Sequence, residues 1–260
     1  MTPIRRTATW VGVALTLILI ALLVVSHRQD HGHHDRSPSV SIPMPSMPST
    51  GRSANGLPSM DLFGNRLDPA GNEAGAALAQ DAGRRPDPHA PDYLSITPSG
   101  MVWQRGWGGA ALGVSRSDGP SRIDGGIASG YADTPQGAGL AAYDALGRAL
   151  AAPDGVWQQV IAQRYVDGGQ ALASRFGRSH ATTPDMAKYV VVPDGIRVMP
   201  GYRPDFAVVQ IAIRGKDGWG CSTWPMVWTN GDWKVRTPEN PDDLWASQPL
   251  DSLTGFGVWK

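Results

Sequence analysis

The chain opens on an uncharged apolar run, Trp10 to Ser26 (WVGVALTLILIALLVVS). Its length falls at the short end of the roughly 17 to 25 residues that span a bilayer as a helix. Arg5 and Arg6 precede it, whereas the far flank mixes Arg28 and Arg36 with Asp30 and Asp35. The positive-inside rule then puts the N-terminus in the cytoplasm and everything after the run outside. A charged stretch before an apolar one also marks a cleavable signal peptide, but the small-residue cleavage pattern is poor around Val24 to Ser26, which favours an uncleaved anchor. Residues 1–9 read as a cytoplasmic tail and 10–26 as a single transmembrane helix at the cell membrane, in contact with lipid.

Periodicity lapses from 27 to 92. The stretch Ser37 to Ser49 alternates Pro and Ser with small apolar residues, and such a chain buries too little surface to offset its ordering entropy. We read 27–92 as a flexible linker, with one marginal helix at Asn72 to Gln80. His27, His31, His33 and His34 form a histidine cluster there, better explained as a solvated juxtamembrane tail than as a metal site, since no scaffold closes a ligand shell around them.

Ordered patterning covers 93–260, the expected extracytoplasmic domain. Met101 to Val114 reads as a strand carrying Trp103 and Trp107, and Asp118, Gly119 and Pro120 as a loop. Thr134, Pro135, Gln136 and Gly137 form a helix start: Thr134 or Asp133 caps free N–H groups, and Pro135 occupies the first helical position. Leu140, Tyr143, Leu146, Gly147 and Leu150 then predict one apolar face, and Pro153 a stop. A second helix is expected over Asp154 to Tyr165, a shorter third after Gly168 and Gly169, and a helical turn within Pro184 to Val190. The period then drops to two. Ala207, Val209, Ile211 and Ile213 line one face of a strand, Asp217 and Gly218 turn it into a second strand over Trp219 to Thr229, and Asn230 and Gly231 turn that into a third over Trp233 to Arg236. Ile196 to Met199 adds a preceding strand. The class is α+β, with helices packed on one face of a curved antiparallel sheet.

Composition narrows the function. Lys plus Arg is 23 and Asp plus Glu is 23, so the net charge of zero argues against nucleic acid as a partner. The single cysteine, Cys221, forms no internal disulfide and reads as buried and inert. Asp133, Tyr143, Asp144, His180 and Asp205 are the candidates for acid–base chemistry, each with a simpler reading: helix cap for Asp133, solvated helix position for Asp144, loop for His180, strand start for Asp205. We therefore expect no catalytic residues, cofactor or metal. Trp219, Trp224, Trp228 and Trp233 fit either a binding platform or the core, with burial favoured because Trp224, Met226 and Trp228 share a face. Trp245 and Trp259 are expected at the surface, pinning the C-terminus or meeting a neighbour.

This order of elements resembles the cystatin-like, nuclear transport factor two-like superfold, whose relatives include membrane-anchored assembly subunits of type IV secretion and conjugation machines. The segment Gly130 to Ala142 (GYADTPQGAGLAA) is similar to a motif in uncharacterised membrane-anchored proteins of high-GC Gram-positive bacteria associated with conjugative elements. The resemblance implies a non-enzymatic scaffold or assembly subunit whose partners are other envelope proteins, with oligomers possible. An exported small-ligand or acid–base enzyme domain and a cell-wall glycan-binding module are the alternatives.

Overall fold

The computed structural model describes residues 56–215 and 218–260. The apolar run 10–26, the histidine cluster and the turn residue Asp217 lie outside them; among the described residues no helix is long and apolar enough to cross a membrane.

The chain starts with β-structure rather than with helices. A short hairpin, β1 (Ser59–Met60) and β2 (Arg66–Leu67), is followed by β3 (Val102–Arg105) paired with β4 (Ala111–Val114), and β5 (Arg122–Asp124) paired with β6 (Ile127–Ser129). Met101 to Val114 is thus a hairpin and not one strand. Three helices follow: α1 (Pro135–Ala151), α2 (Val156–Arg164) and, beyond the two-residue β7 (Tyr165–Val166), α3 (Gly169–Thr182), which is longer than α2. A 3₁₀ turn, Met186–Tyr189, leads to β8 (Gly195–Val198), β9 (Phe206–Gly215), β10 (Gly218–Thr229), β11 (Asp232–Arg236) and β12 (Gln248–Leu250). The main sheet runs β7-β11-β10-β9-β8, with β12 covering the free edge of the first half of β10. Every pairing in it is antiparallel except β7 on β11. Asn230 and Gly231 both take positive φ (54° and 73°), as a tight hairpin between right-twisted strands requires.

The α+β class holds, and its layering explains where the single-face expectation for α1 fails. One side of α1 lies on β8, β9 and β11; the other is covered by β4. A helix roofed on both sides is buried all round, so Gln136, Asp144 and Arg148 are sealed while Leu146 and Leu150 keep partial exposure. Small residues make this possible. A Cβ on Gly139 would fall 2.5 Å from the Trp259 ring and one on Gly137 2.0 Å from the Ala132 carbonyl oxygen, so both positions are closed to larger side chains.

The linker boundary moves. Residues 56–92, expected as tether, are laid onto the domain: Leu67 is fully buried, Asp68 N–H donates to Trp103 O (2.8 Å), Ala76 N–H donates to Gln104 Oε1 (2.7 Å), and Gln80 Nε2 donates to Ser115 O (2.8 Å). No helix forms at Asn72 to Gln80, where Gly75 adopts a positive φ of 79° and the backbone runs extended. Nine helix-compatible residues cannot nucleate alone, and the partners available to this strip are backbone and side-chain groups of the β3–β4 hairpin.

Candidate functional site

The acid–base candidates do not share a cleft. Asp133 is exposed, and its backbone carbonyl accepts from Tyr202 OH (2.8 Å). Asp205 is exposed and pairs with Arg203 (3.1 Å). His180 lies on α3 rather than in a loop, stacked on Trp157 (4.7 Å between centroids, 16° between planes), with Nε2 2.9 Å from Ala149 O. Tyr143 is buried and donates to Val191 O. Two shallow grooves stand out on the surface. One, of about 350 Å³, is lined by Asp167, Pro225 and Arg236; the other, of about 360 Å³, by Gln158, Tyr165 and Leu172; neither reaches any of the candidates. Among the described residues no group of His, Cys, Asp and Glu could hold a metal ion.

Asp144 corrects its sequence reading. It is 1 % exposed, and its partner one turn on, Arg148, is 0 % exposed. Arg148 Nε donates to Asp144 Oδ1 (2.6 Å), and its Nη1 donates to the carbonyls of Ala74 (2.8 Å) and Gly126 (2.9 Å). A second sealed pair stands beside it: Arg164 Nη1 donates to Asp232 Oδ2 (2.6 Å) and Nη2 to Trp233 O (2.6 Å). Asp232 also receives the backbone N–H groups of Gly130 (2.9 Å) and Tyr131 (3.2 Å), which ties the start of the helix motif to the sheet. Burial is the largest single influence on Arg164 and opposes its charge, but Asp232, Tyr131 and Asp144 together raise the guanidinium pKa. Burial drives the phenols of Tyr131, Tyr143 and Tyr165 well above the ordinary tyrosine range, and the Asp144 charge adds to all three.

Several polar atoms in this interior have no protein partner: Asp144 Oδ2, Arg148 Nη2, Arg164 Nε, Tyr131 OH and Tyr165 OH. A buried polar group left unpaired costs about 1–3 kcal/mol. Left dry together, these would offset much of the roughly 5–15 kcal/mol that stabilises a whole domain.

The motif Thr134, Pro135, Gln136 and Gly137 is structural. Thr134 Oγ1 accepts from Gly137 N–H (3.0 Å) and donates to the buried Asp118 Oδ1 (2.6 Å); Ser117 Oγ donates to Asp118 Oδ2 (2.5 Å). Gln136 Nε2 donates to Tyr93 O (2.6 Å). Thr134→Ala removes the cap and one of the Asp118 hydrogen bonds, and we expect a loss of about 1–2 kcal/mol in urea-melt stability, with Thr134→Ser recovering most of it.

The tryptophans divide. Trp224 and Trp233 are core, so no exposed row of indoles crosses the sheet, although Trp219 and Trp228 keep partial exposure. Trp259, expected at the surface, is buried: its Nε1 donates to Ser95 O (3.0 Å) and its carbonyl accepts from Trp103 Nε1 (2.5 Å). It pins the chain end and offers nothing to a neighbour. Trp245 is half-buried, with Arg175 over its ring (4.2 Å) and Phe176 at its edge (4.8 Å). Cys221 is buried, and burial pushes its thiol pKa up, in keeping with an inert role.

Apart from Val258, the large exposed apolar side chains among the described residues lie where the sequence predicts tether. Leu57, Met60, Leu62 and Phe63 are 81 %, 73 %, 53 % and 40 % exposed. They sit on a mounted loop rather than a loose end. Asp61 Oδ1 accepts from Phe63 N–H and Asn65 N–H (both 2.9 Å), and its Oδ2 accepts from Val192 N–H (2.8 Å), which fastens the turn to the body of the domain. Arg214 lies over the Phe63 ring (5.6 Å). The four apolar residues stand within seven positions of one another, too short a run for the periodicity that marks an element.

No curated protein matches the chain, and neither does any solved structure. A family model does match, over residues 68–258, so its span begins just after the exposed hairpin and covers both the strip laid on β3–β4 and the sealed interior. The chain belongs to the family described as "Domain of unknown function (DUF8175)".

Proposed function

We propose that the chain is a non-enzymatic, membrane-anchored scaffold or assembly subunit of a cell-envelope transport apparatus of the conjugation or secretion type. Residues 10–26 supply the anchor, with the N-terminus cytoplasmic, and the domain beyond works by contact with other envelope proteins. The observation that carries this reading is the exposed set Leu57, Met60, Leu62 and Phe63 on a turn clamped through Asp61. Clustered apolar side chains cost solubility unless something covers them, and on a rigid mount they need little ordering to bind. Two further features agree with it. The acid–base candidates are scattered or sealed, which is unsuited to turnover, and helices packed on one face of a largely antiparallel sheet are compatible with the cystatin-like, nuclear transport factor two-like architecture of the assembly subunits.

A photo-crosslinking residue at Leu62 of the full chain in native membranes tests this. We expect discrete adducts with envelope proteins from Leu62 and none from the exposed control position Asp251. Adducts to lipid alone, or equal labelling from both positions, would sink the proposal. A Leu62→Ser/Phe63→Ser variant should lose the adduct partners while its unfolding free energy stays within about 0.5 kcal/mol of the parent, as expected for surface changes.

A further inference from the structure

We infer that Met60 is an oxidation switch on the docking turn: a peroxide converts its thioether to the sulfoxide, and the partner is released while the domain stays folded. The inference rests on the docking reading above and adds its regulation. Of the four exposed apolar side chains, Leu57, Leu62 and Phe63 are hydrocarbon, and Met60, at 73 % exposed, is the one with an oxidisable sulfur. Strand alternation sets it facing outward. In the β1–β2 hairpin Ser59 stands opposite Leu67 and Met60 opposite Arg66, so the fully buried Leu67 marks the inward face and Met60 falls on the other. The remaining described methionines are shielded. Met226 and Met186 are 0 % and 5 % exposed, and Met101 and Met199 are half-buried.

In the reaction a sulfur lone pair attacks one oxygen of hydrogen peroxide and the O–O bond breaks. That oxygen stays on sulfur as S=O, the sulfur gives up two electrons, and the second oxygen leaves as water with both peroxide protons. The product is a polar group and strong acceptor where a flexible apolar side chain had been. Covered by an apolar partner, the new oxygen is desolvated without a donor, which weakens the contact about tenfold or more. The mount is spared. Asp61, next in the chain, keeps its bond from Val192 N–H (2.8 Å), in which the thioether takes no part. A sulfoxide reductase driven by a dithiol reverses the change: the oxygen departs as water and the two thiols become a disulfide.

The test uses the full chain with the photo-crosslinking residue at Leu62, in native membranes treated with hydrogen peroxide. Peptide mapping should find one added oxygen on Met60 before any on Met101, Met186, Met199 or Met226, and the Leu62 adducts should fall about tenfold as that conversion completes. A Met44→Leu/Met47→Leu variant, altered outside the docking turn, should show the same fall. Met60→Leu should show none relative to its own untreated yield, which separates oxidation of Met60 from oxidation of the partner. The purified, oxidised chain should keep the near-ultraviolet circular dichroism of the untreated one. Adducts that survive complete oxidation of Met60, protection by Met44→Leu/Met47→Leu, or an equal fall in Met60→Leu overturn the inference and leave the docking reading standing. So does loss of the near-ultraviolet spectrum, because the contact is then lost through unfolding. Untreated membranes that give no adducts sink both.

Discussion

Arg148→Ala lowers the unfolding free energy by about 3–5 kcal/mol, the expected cost of stranding one member of a buried ion pair. Among the described residues the guanidinium is the partner of Asp144 Oδ1, and it also holds the carbonyls of Ala74 and Gly126. Its loss leaves a carboxylate in a low-dielectric interior and frees the strip laid across the β3–β4 hairpin. Arg148→Lys should be nearly as damaging, because one ammonium cannot reproduce a planar fork with bonds in three directions. The informative variant is the double change Asp144→Leu/Arg148→Met. It removes both charges while keeping the volume, and it should recover most of the lost stability, since well-packed apolar replacements of buried pairs are often neutral or better. Urea midpoints at constant m value measure all three. An Arg148→Ala protein within about 1 kcal/mol of wild type would falsify the view that this pair is sealed and dependent on its partner.

What could be read from the sequence divides along the range of the interactions. The Thr134-Pro135 helix start, the alternation from Ala207 to Ile213 and the Asn230-Gly231 turn are local devices, fixed by neighbouring residues, and the structure has all three. The burial of Asp144 is not local. Its position on α1 looks solvent-facing if the helix has one packed side, and its partner Arg148 is held by the carbonyls of Ala74 and Gly126, 74 and 22 positions away. The Arg164–Asp232 pair spans 68 positions and the Trp259–Ser95 bond 164, distances over which no periodicity carries a signal. Residues 56–92 depart from the linker expectation for a related reason. Pro, Ser and Gly look like tether composition, yet a strip without its own core is ordered when another layer supplies hydrogen-bonding partners, as Gln104 does for Ala76.

The same sealed interior makes the domain sensitive to alkali. In the unfolded chain Tyr131, Tyr143 and Tyr165 ionise near the ordinary phenol value of about 10. In the folded chain burial, followed by the Asp144 charge for Tyr131 and Tyr165 and by Asp61 for Tyr143, holds each of them protonated well beyond that. Below about pH 10 both states keep these protons, so the phenols give stability no pH dependence there. Above it the unfolded chain binds fewer protons than the folded one, and stability falls with rising pH until the folded-state pKa values are passed. Each phenol contributes a slope of up to about 1.4 kcal/mol per pH unit, so the three together reach about 4 kcal/mol per unit. Urea midpoints taken from about pH 8 to about pH 11 should therefore drop steeply only above about pH 10, after a shallower fall from the buried Cys221 thiol, whose raised pKa acts with the same sign. The chain carries six tyrosines, so the tyrosinate absorbance of these three, taken as the difference between the protein and the matching Tyr→Phe variant, should appear in the same step as the loss of near-ultraviolet circular dichroism, because their hydroxyls ionise only when the core opens. Tyr143→Phe should take up to about 1.4 kcal/mol per pH unit off the steep slope, the share of one phenol. A titration near pH 10 with packing intact that Tyr131→Phe, Tyr143→Phe or Tyr165→Phe diminishes would mean that these phenols are reachable by solvent and the interior is not closed.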